Sequence, residues 1–149
     1  MVFKRKPDVV IGGNEDPYLL RWWVIPRNPF FNIYLHKFLR SDEDRALHSH
    51  PWLFCLSILI KGNYIEHTPK GKFIRKRGNC YFRFGEAWHR VQLLTKWVKQ
   101  NDGSMVGYPD REPCTTIFVT GPRIREWGFA CPQGFVHWGQ FDKQNGCGE

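Results

Sequence analysis

Three histidines in this chain are spaced so that they can share one cation. His48 and His50 flank Ser49, Gly62 follows twelve residues after His50, and His89 comes eleven residues after Gly78. Side chains alternate faces along an extended strand, so the first two imidazoles project to one side, about 6 to 7 Å apart along the chain. A third imidazole from a distant strand closes the triangle. Neutral imidazole is a ligand common to zinc, iron, nickel and copper, so the residues predict a divalent transition metal, Fe, Zn or Ni, without choosing among them. Three protein ligands leave coordination positions open, which suits catalysis better than a closed structural zinc. Without a carboxylate among them, the ligands also leave the site positive and favour an anionic ligand.

Further groups can serve this site. On a regular strand Phe54, not Cys55, would share the histidine face, while a bulge after Pro51 would turn Cys55 toward it. A buried free cysteine is equally an ordinary small hydrophobe, so Cys55 is read first as an inert thiol and second as a neighbour of the metal. Glu66 and His67 end a strand, and regular pairing turns one of them inward, where it would orient a ligand or act as acid or base. Tyr34, His36 and Tyr64 are candidate pocket-lining groups. Arg83 and Arg90 flank the third histidine. An inward arginine there would grip a carboxylate or phosphate with two parallel hydrogen bonds, and parity sets Arg90 opposite His89, on the outside. Cys131 and His137, six apart across Pro132 and Gly134, form a weaker second metal pair. Trp22, Trp23, Trp52, Trp88, Trp127 and Trp138 read as core or pocket wall, not as stacking platforms for bases.

The elements that must hold these groups are strands. Apolar runs are short and punctuated by fourteen Gly and ten Pro, and aromatic residues make up 16% of the chain, a pattern of many strands joined by turns. Residues 1–17 are polar and predict an N-terminal arm, either laid along the sheet or mobile, 18–140 a single β-barrel domain, and 141–149 a C-terminal tail. Strands are expected at 19–25, 30–39, 47–50, 52–60, 64–68, 72–77, 79–84, 88–94, 115–119, 127–130 and 135–138, with an acidic turn at 41–44. In the second run the odd positions Phe31, Ile33, Leu35 and Leu39 are apolar, and Asn32, Tyr34 and His36 form the opposite face, suited to a pocket or to solvent. Pro51 marks an edge, a break or a bulge. The polar connection 95–113 is long enough to cover a pocket mouth.

At 149 residues the chain can bury an ordinary core without disulfides. Its five cysteines are scattered and odd in number and are read as thiols of a reducing compartment, bacterial or infected-host cytosol. The start lacks a signal-peptide core, and no apolar run approaches the ~20 residues of a membrane span. The net charge of +8 attracts anions, yet Lys and Arg are dispersed and no nucleic-acid motif accompanies them.

The motif spacing resembles the cupin superfamily. Its first motif runs Gly, five residues, His-x-His, three or four residues, Glu, six residues, Gly, and its second runs Gly, five residues, Pro-x-Gly, two residues, His, three residues, Asn. His48, His50, Gly62, Gly78 and His89 fall on matching positions, while Asp42 stands at the opening Gly, Cys55 at Glu, Phe84-Gly85-Glu86 at Pro-x-Gly and Leu93 at Asn. The segment from His48 to Cys55, continuing to Gly62, Asn63 and Glu66, is locally similar to the first motif of the thiol dioxygenases. Those enzymes hold ferrous iron with three histidines and place a cysteine five residues after the second, where it can be cross-linked to a pocket tyrosine. Most of the chain also resembles small cupin-like proteins of bacteriophages and prophages, through residues 21–26, 47–52, 120–123 and 127–129. These resemblances imply an all-β cupin-type barrel, or double-stranded jelly roll, with a metal at His48, His50 and His89. They imply a metal-dependent enzyme on a small, anionic or thiol-bearing substrate, with a thiol dioxygenase as the sharpest version. The alternatives are a noncatalytic ligand-binding cupin and a phage-type structural or host-interaction protein. The partners expected are a small-molecule ligand, no sequence-specific nucleic acid and no membrane, with a homodimer allowed.

Overall fold

The computed structural model describes residues 4–42, 46–141 and 147. In chain order its strands are β1 (Val9–Ile11), β2 (Leu19–Trp23), β3 (Asn32–Phe38), β4 (Leu47–His48), β5 (Phe54–Lys61), β6 (Tyr64–Thr68) and β7 (Gly71–Arg75). They continue as β8 (Cys80–Phe84), β9 (Arg90–Leu93), β10 (Lys96–Lys99), β11 (Met105–Tyr108), β12 (Cys114–Thr120), β13 (Gly128–Cys131) and β14 (Gly134–His137). No α-helix occurs among the described residues, so none is long and apolar enough to cross a membrane. The acidic turn expected at 41–44 and the tail at 141–149 lie largely outside the described residues.

Six antiparallel strands form the first layer in the order β1-β2-β3-β12-β5-β8. The second layer consists of two three-stranded pieces, β14-β13-β4 and β7-β6-β9. Reciprocal backbone hydrogen bonds between His48 and His89, 2.9 and 3.0 Å long, join β4 to the start of β9 and make the pieces one surface. The two layers pack as a double-stranded jelly roll. Leu19, Phe38, Leu59 and Cys114 from the first layer meet Tyr64, Val91 and Leu93 from the second. Each large apolar side chain buried there contributes roughly 1.5 to 3 kcal/mol.

Three local features add to the sequence reading or correct it. Val9–Ile11 lies within the expected arm and pairs with β2, the first of the two alternatives, extending the first layer. The connection 95–113 contains the hairpin β10–β11, and its residues take no part in lining the cavity described below. Cys131 and Cys147 form a disulfide. This corrects the expectation that all five cysteines are thiols and removes Cys131 as a metal partner for His137, whose Nε2 faces Glu126 at 3.0 Å instead. Cys55, Cys80 and Cys114 remain free.

Register decides which groups reach the interior. On β3 the inward face carries Asn32, Tyr34, His36 and Phe38, all buried, so the face left open by alternation is the interior one. Leu35 is also buried, on the other face, where it pairs with Trp22. The indole of Trp22 donates to the carbonyl of Arg5 at 3.0 Å, which ties the N-terminal arm over that outer face. Pro51 separates β4 from β5 and breaks the alternation, so Cys55 (0% exposed) faces the interior while Phe54 stacks on exposed Phe82 outside.

Candidate metal centre

Backbone pairing carries His48, His50 and His89 to one place. His48 ends β4 and is bridged to His89, while Ser49 turns to the carbonyl of Gly128 at 3.0 Å. The His50 amide donates to the carbonyl of Gly85 at 2.8 Å. Gly85 is required there, because a Cβ would fall 1.8 Å from the Trp52 carbonyl oxygen. Gly62, with φ +79°, makes the tight turn between β5 and β6; a Cβ on it would meet the Pro113 carbonyl at 2.7 Å.

One ligand nitrogen from each histidine lies within 4.8 Å of the others, a grouping able to hold a metal ion. The Nε2 atoms of His50 and His89 face each other at 2.8 Å, an arrangement that calls for a proton or a metal ion between them. Bonds of ~2.0–2.1 Å from nitrogen to zinc set neighbouring ligand nitrogens about 3 to 3.4 Å apart, so small ring movements accommodate such an ion. Burial pushes the His50 imidazole well below its usual proton affinity, with the charges of His89, His48, Arg83 and Arg21 adding to the effect. His89 is depressed in the same way, by burial first and then by His48, Arg83 and Arg75. Neutral rings are the form that ligates metal.

Glu66 is the inward member of its pair and is 1% exposed. Its Oε1 lies 3.0 Å from His89 Nδ1, a contact without hydrogen-bond geometry. Arg75 Nε donates to Oε2 at 2.6 Å, and Arg83 donates to Oε1. Two guanidiniums share this carboxylate, and burial remains the first cause of the low proton affinity of His89. His67 faces outward, 2.7 Å from Gln92 Oε1 and 3.2 Å from the Arg90 guanidinium, in keeping with an external Arg90. Asp42 accepts from the Val91 amide at 2.8 Å and lies 3.9 Å from His48 Nδ1.

The histidines stand in the wall of a cavity of about 650 Å³ that Tyr34, His36, Tyr64 and Arg83 also line. Burial pushes the Tyr64 phenol up to about 12, with Glu66 reinforcing it, and Tyr64 is hydrogen-bonded to Ser57. Cys55 packs with Tyr34, Phe118 and Trp52. Burial pushes its thiol up to about 11 against the opposing influence of Arg83, and it stands outside the three-histidine grouping. Arg83 lines the cavity and is paired with Glu66 through one terminal amino group. Trp52 stacks on His50 at 5.5 Å, and Trp127 and Trp138 join the cavity wall, while Trp22 is buried on the outer face beneath the N-terminal arm. Sequence reasoning missed Arg21, Arg75 and Gly85. Gly85 left a trace at the middle of the altered Pro-x-Gly motif, and Arg21 opens the 21–26 segment matched to the bacteriophage cupin-like proteins.

No protein-family model and no curated protein matches the sequence. Solved structures do. A cupin-like protein from Thermotoga maritima superposes with a TM-score of 0.54 at 12% identity, covering 91% of each chain. The DMSP lyase DddQ from Ruegeria pomeroyi gives 0.55 at 11% identity, over 83% of this chain and 57% of that one. KdgF from a Halomonas species gives 0.51 at 17% identity, over 77% and 94%. With two strand layers closed around a histidine cluster, and these neighbours, the chain has the cupin fold.

Proposed function

We propose that this protein is a metal-dependent enzyme acting on a small anionic substrate held between the two sheets. The observation that carries the reading is the convergence of His48, His50 and His89 in the wall of a cavity of about 650 Å³. A divalent transition metal, Fe, Zn or Ni, held by these three imidazoles would supply Lewis-acid or redox activation. The chain's own residues do the positioning: Glu66 backs His89, Arg75 and Arg83 hold Glu66, and the protonated Tyr64 phenol offers a hydrogen bond to a ligand. Elemental analysis of the purified protein against a His48→Ala/His89→Ala variant tests the site. Metal in the wild type alone is expected, and equal content in both overturns the reading.

Within this proposal the sharpest version is dioxygen chemistry on a thiol- or carboxylate-bearing compound. Oxygen uptake by the ferrous-loaded protein with cysteine, cysteamine or mercaptopropionate tests it, and a silent electrode with metal bound rejects it. A noncatalytic ligand-binding role is the second reading. It is favoured by the phenol of Tyr64 at about 12 and the thiol of Cys55 at about 11, both far from the range in which a group exchanges protons efficiently at neutral pH. The dispersed basic surface is proposed to bind duplex DNA only nonspecifically, at roughly 10⁻⁴ to 10⁻⁶ M. A cytosolic setting rests on the three free thiols, and the Cys131–Cys147 disulfide weighs against it.

A further inference from the structure

Five arginines and one carboxylate, Asp42, line the cavity. Three of the arginines already face acidic partners: Arg40 lies 3.7 Å from Asp16, Arg83 contacts Glu66, and Arg123 lies 3.9 Å from Glu126. Arg27 is exposed and sits over the Trp23 ring at 5.7 Å. Arg21 differs from all of these. It is half-buried on β2, and among the described residues no carboxylate pairs with it.

Its guanidinium is nevertheless held rigidly. Nε donates to His36 Nε2 at 2.9 Å, and the guanidinium carbon lies 4.7 Å from the centre of the Tyr34 ring. His36 is fixed in turn, stacked on Tyr34 at 5.8 Å and on Phe118 at 5.0 Å. Burial, with the charges of Arg21 and His50, keeps His36 far below its usual proton affinity, so the ring is neutral and can accept this hydrogen bond. One edge of the guanidinium and one face are therefore engaged by protein. The end-on edge, with its two terminal amino groups, is left for a ligand, and it shares the cavity with the histidine cluster. Arg21 is near enough to His50 to act on its charge.

We infer that Arg21 is the receptor for a ligand carboxylate, gripped end-on by the two terminal amino groups, and that the ligands are small carboxylates whose other end meets the three histidines. The inference rests on the reading of this cavity as the ligand site. A planar fork matches a carboxylate with two parallel hydrogen bonds, and restraint by His36 and Tyr34 means little freedom is lost on binding. A single charge also balances a carboxylate better than a phosphate bearing nearly two.

Succinate, its neutral diamide and inorganic phosphate are suitable probes. They would be titrated by calorimetry into wild-type, Arg21→Lys and Arg21→Met proteins, with metal content measured on each sample. Succinate is expected to bind the wild type in preference to phosphate and to the diamide. Arg21→Met should weaken succinate roughly ten- to hundredfold, the value of a charge-assisted hydrogen-bonded pair, with metal content unchanged. Arg21→Lys keeps the charge without the fork and should fall between them. In the wild type alone, the NMR signals of the Arg21 guanidinium should shift on adding succinate, a readout independent of how the variants fold. Equal succinate affinity in wild type and Arg21→Met, a preference for phosphate, or no binding to the wild type overturns the inference. Arg21-dependent succinate binding by protein that holds no metal supports it while rejecting the metal-dependent reading.

Discussion

Along β6 and β9 the inward positions change character within a few residues. Tyr64, Leu93 and Val91 pack with Leu59, Phe38 and Cys114 into an apolar cluster, of which Tyr64, Val91 and Phe38 also border the cavity. Next to them, Glu66 and His89 belong to a charged assembly with Arg75, Arg83 and the other two histidines. The apolar region is buried and the charged one is partly so, around fully buried Glu66; both are made by strand alternation, but different forces hold them. The apolar end gains from removing surface from water, a nondirectional term that tolerates similar shapes. The charged end gains only when every buried polar atom meets its partner, so it fixes orientation at some cost in stability. The contrast indicates that the apolar end holds the sandwich together and forms one wall of the cavity, while the charged end carries the candidate ligands.

Substitutions in the two regions should separate stability from metal binding. Leu93→Ala removes a side chain that is 1% exposed and should cost about 3 to 5 kcal/mol in denaturant unfolding, with metal stoichiometry retained in the folded fraction. Glu66→Gln keeps the shape but withdraws the charge from Arg75 and Arg83, and about 2 to 3 kcal/mol is expected. Unlike the core variant, it should also weaken metal affinity ten- to hundredfold, because the group behind His89 is altered. If Leu93→Ala lost the metal and Glu66→Gln kept it, the division would be wrong.

The smallest effect, taken histidine by histidine, is a pH dependence carried by imidazoles that line the cavity. His36, His50 and His89 are all held below their unfolded proton affinity, chiefly by burial. Below about pH 6.5 the unfolded chain therefore binds protons that the folded chain refuses, so stability is full above that pH and falls as the solution is acidified. The slope for metal-free protein should reach at most about 1.4 kcal/mol per pH unit for each histidine. Urea titrations across pH 5 to 8 would measure it. His36→Gln should lower the slope by one histidine's share and Leu93→Ala should leave it unchanged; a slope lost in the core variant would show that the two regions are not independent.

The strands were legible because β-branched and aromatic alternation bounded by Gly and Pro is a local property, and β6, at 64–68, was read with its observed ends. The histidine triplet was legible for a related reason: paired imidazoles two residues apart and glycines at fixed separations are visible without knowing any contact. The hairpin β10–β11 was not, because its polar, Gly-containing sequence reads as a loop until its own two runs pair. The Cys131–Cys147 disulfide was hidden because pairing depends on which cysteines the fold brings together.

Parity carried the site reading only as far as the first irregularity. It left Glu66 and His67 equivalent, and the pairing of β6 with β9 chose between them. It also left Cys55 undecided until the break at Pro51 reset the alternation. Sequence by itself determined the residue types, their spacing and so the kind of chemistry available at His48, His50 and His89. Tertiary structure alone decided which charges neutralise one another, pairing Arg83 with Glu66 and leaving Arg21 with a neutral histidine. The physical reason is that spacing along a strand is set by backbone geometry, whereas compensation between charges depends on distances across strands far apart in the chain.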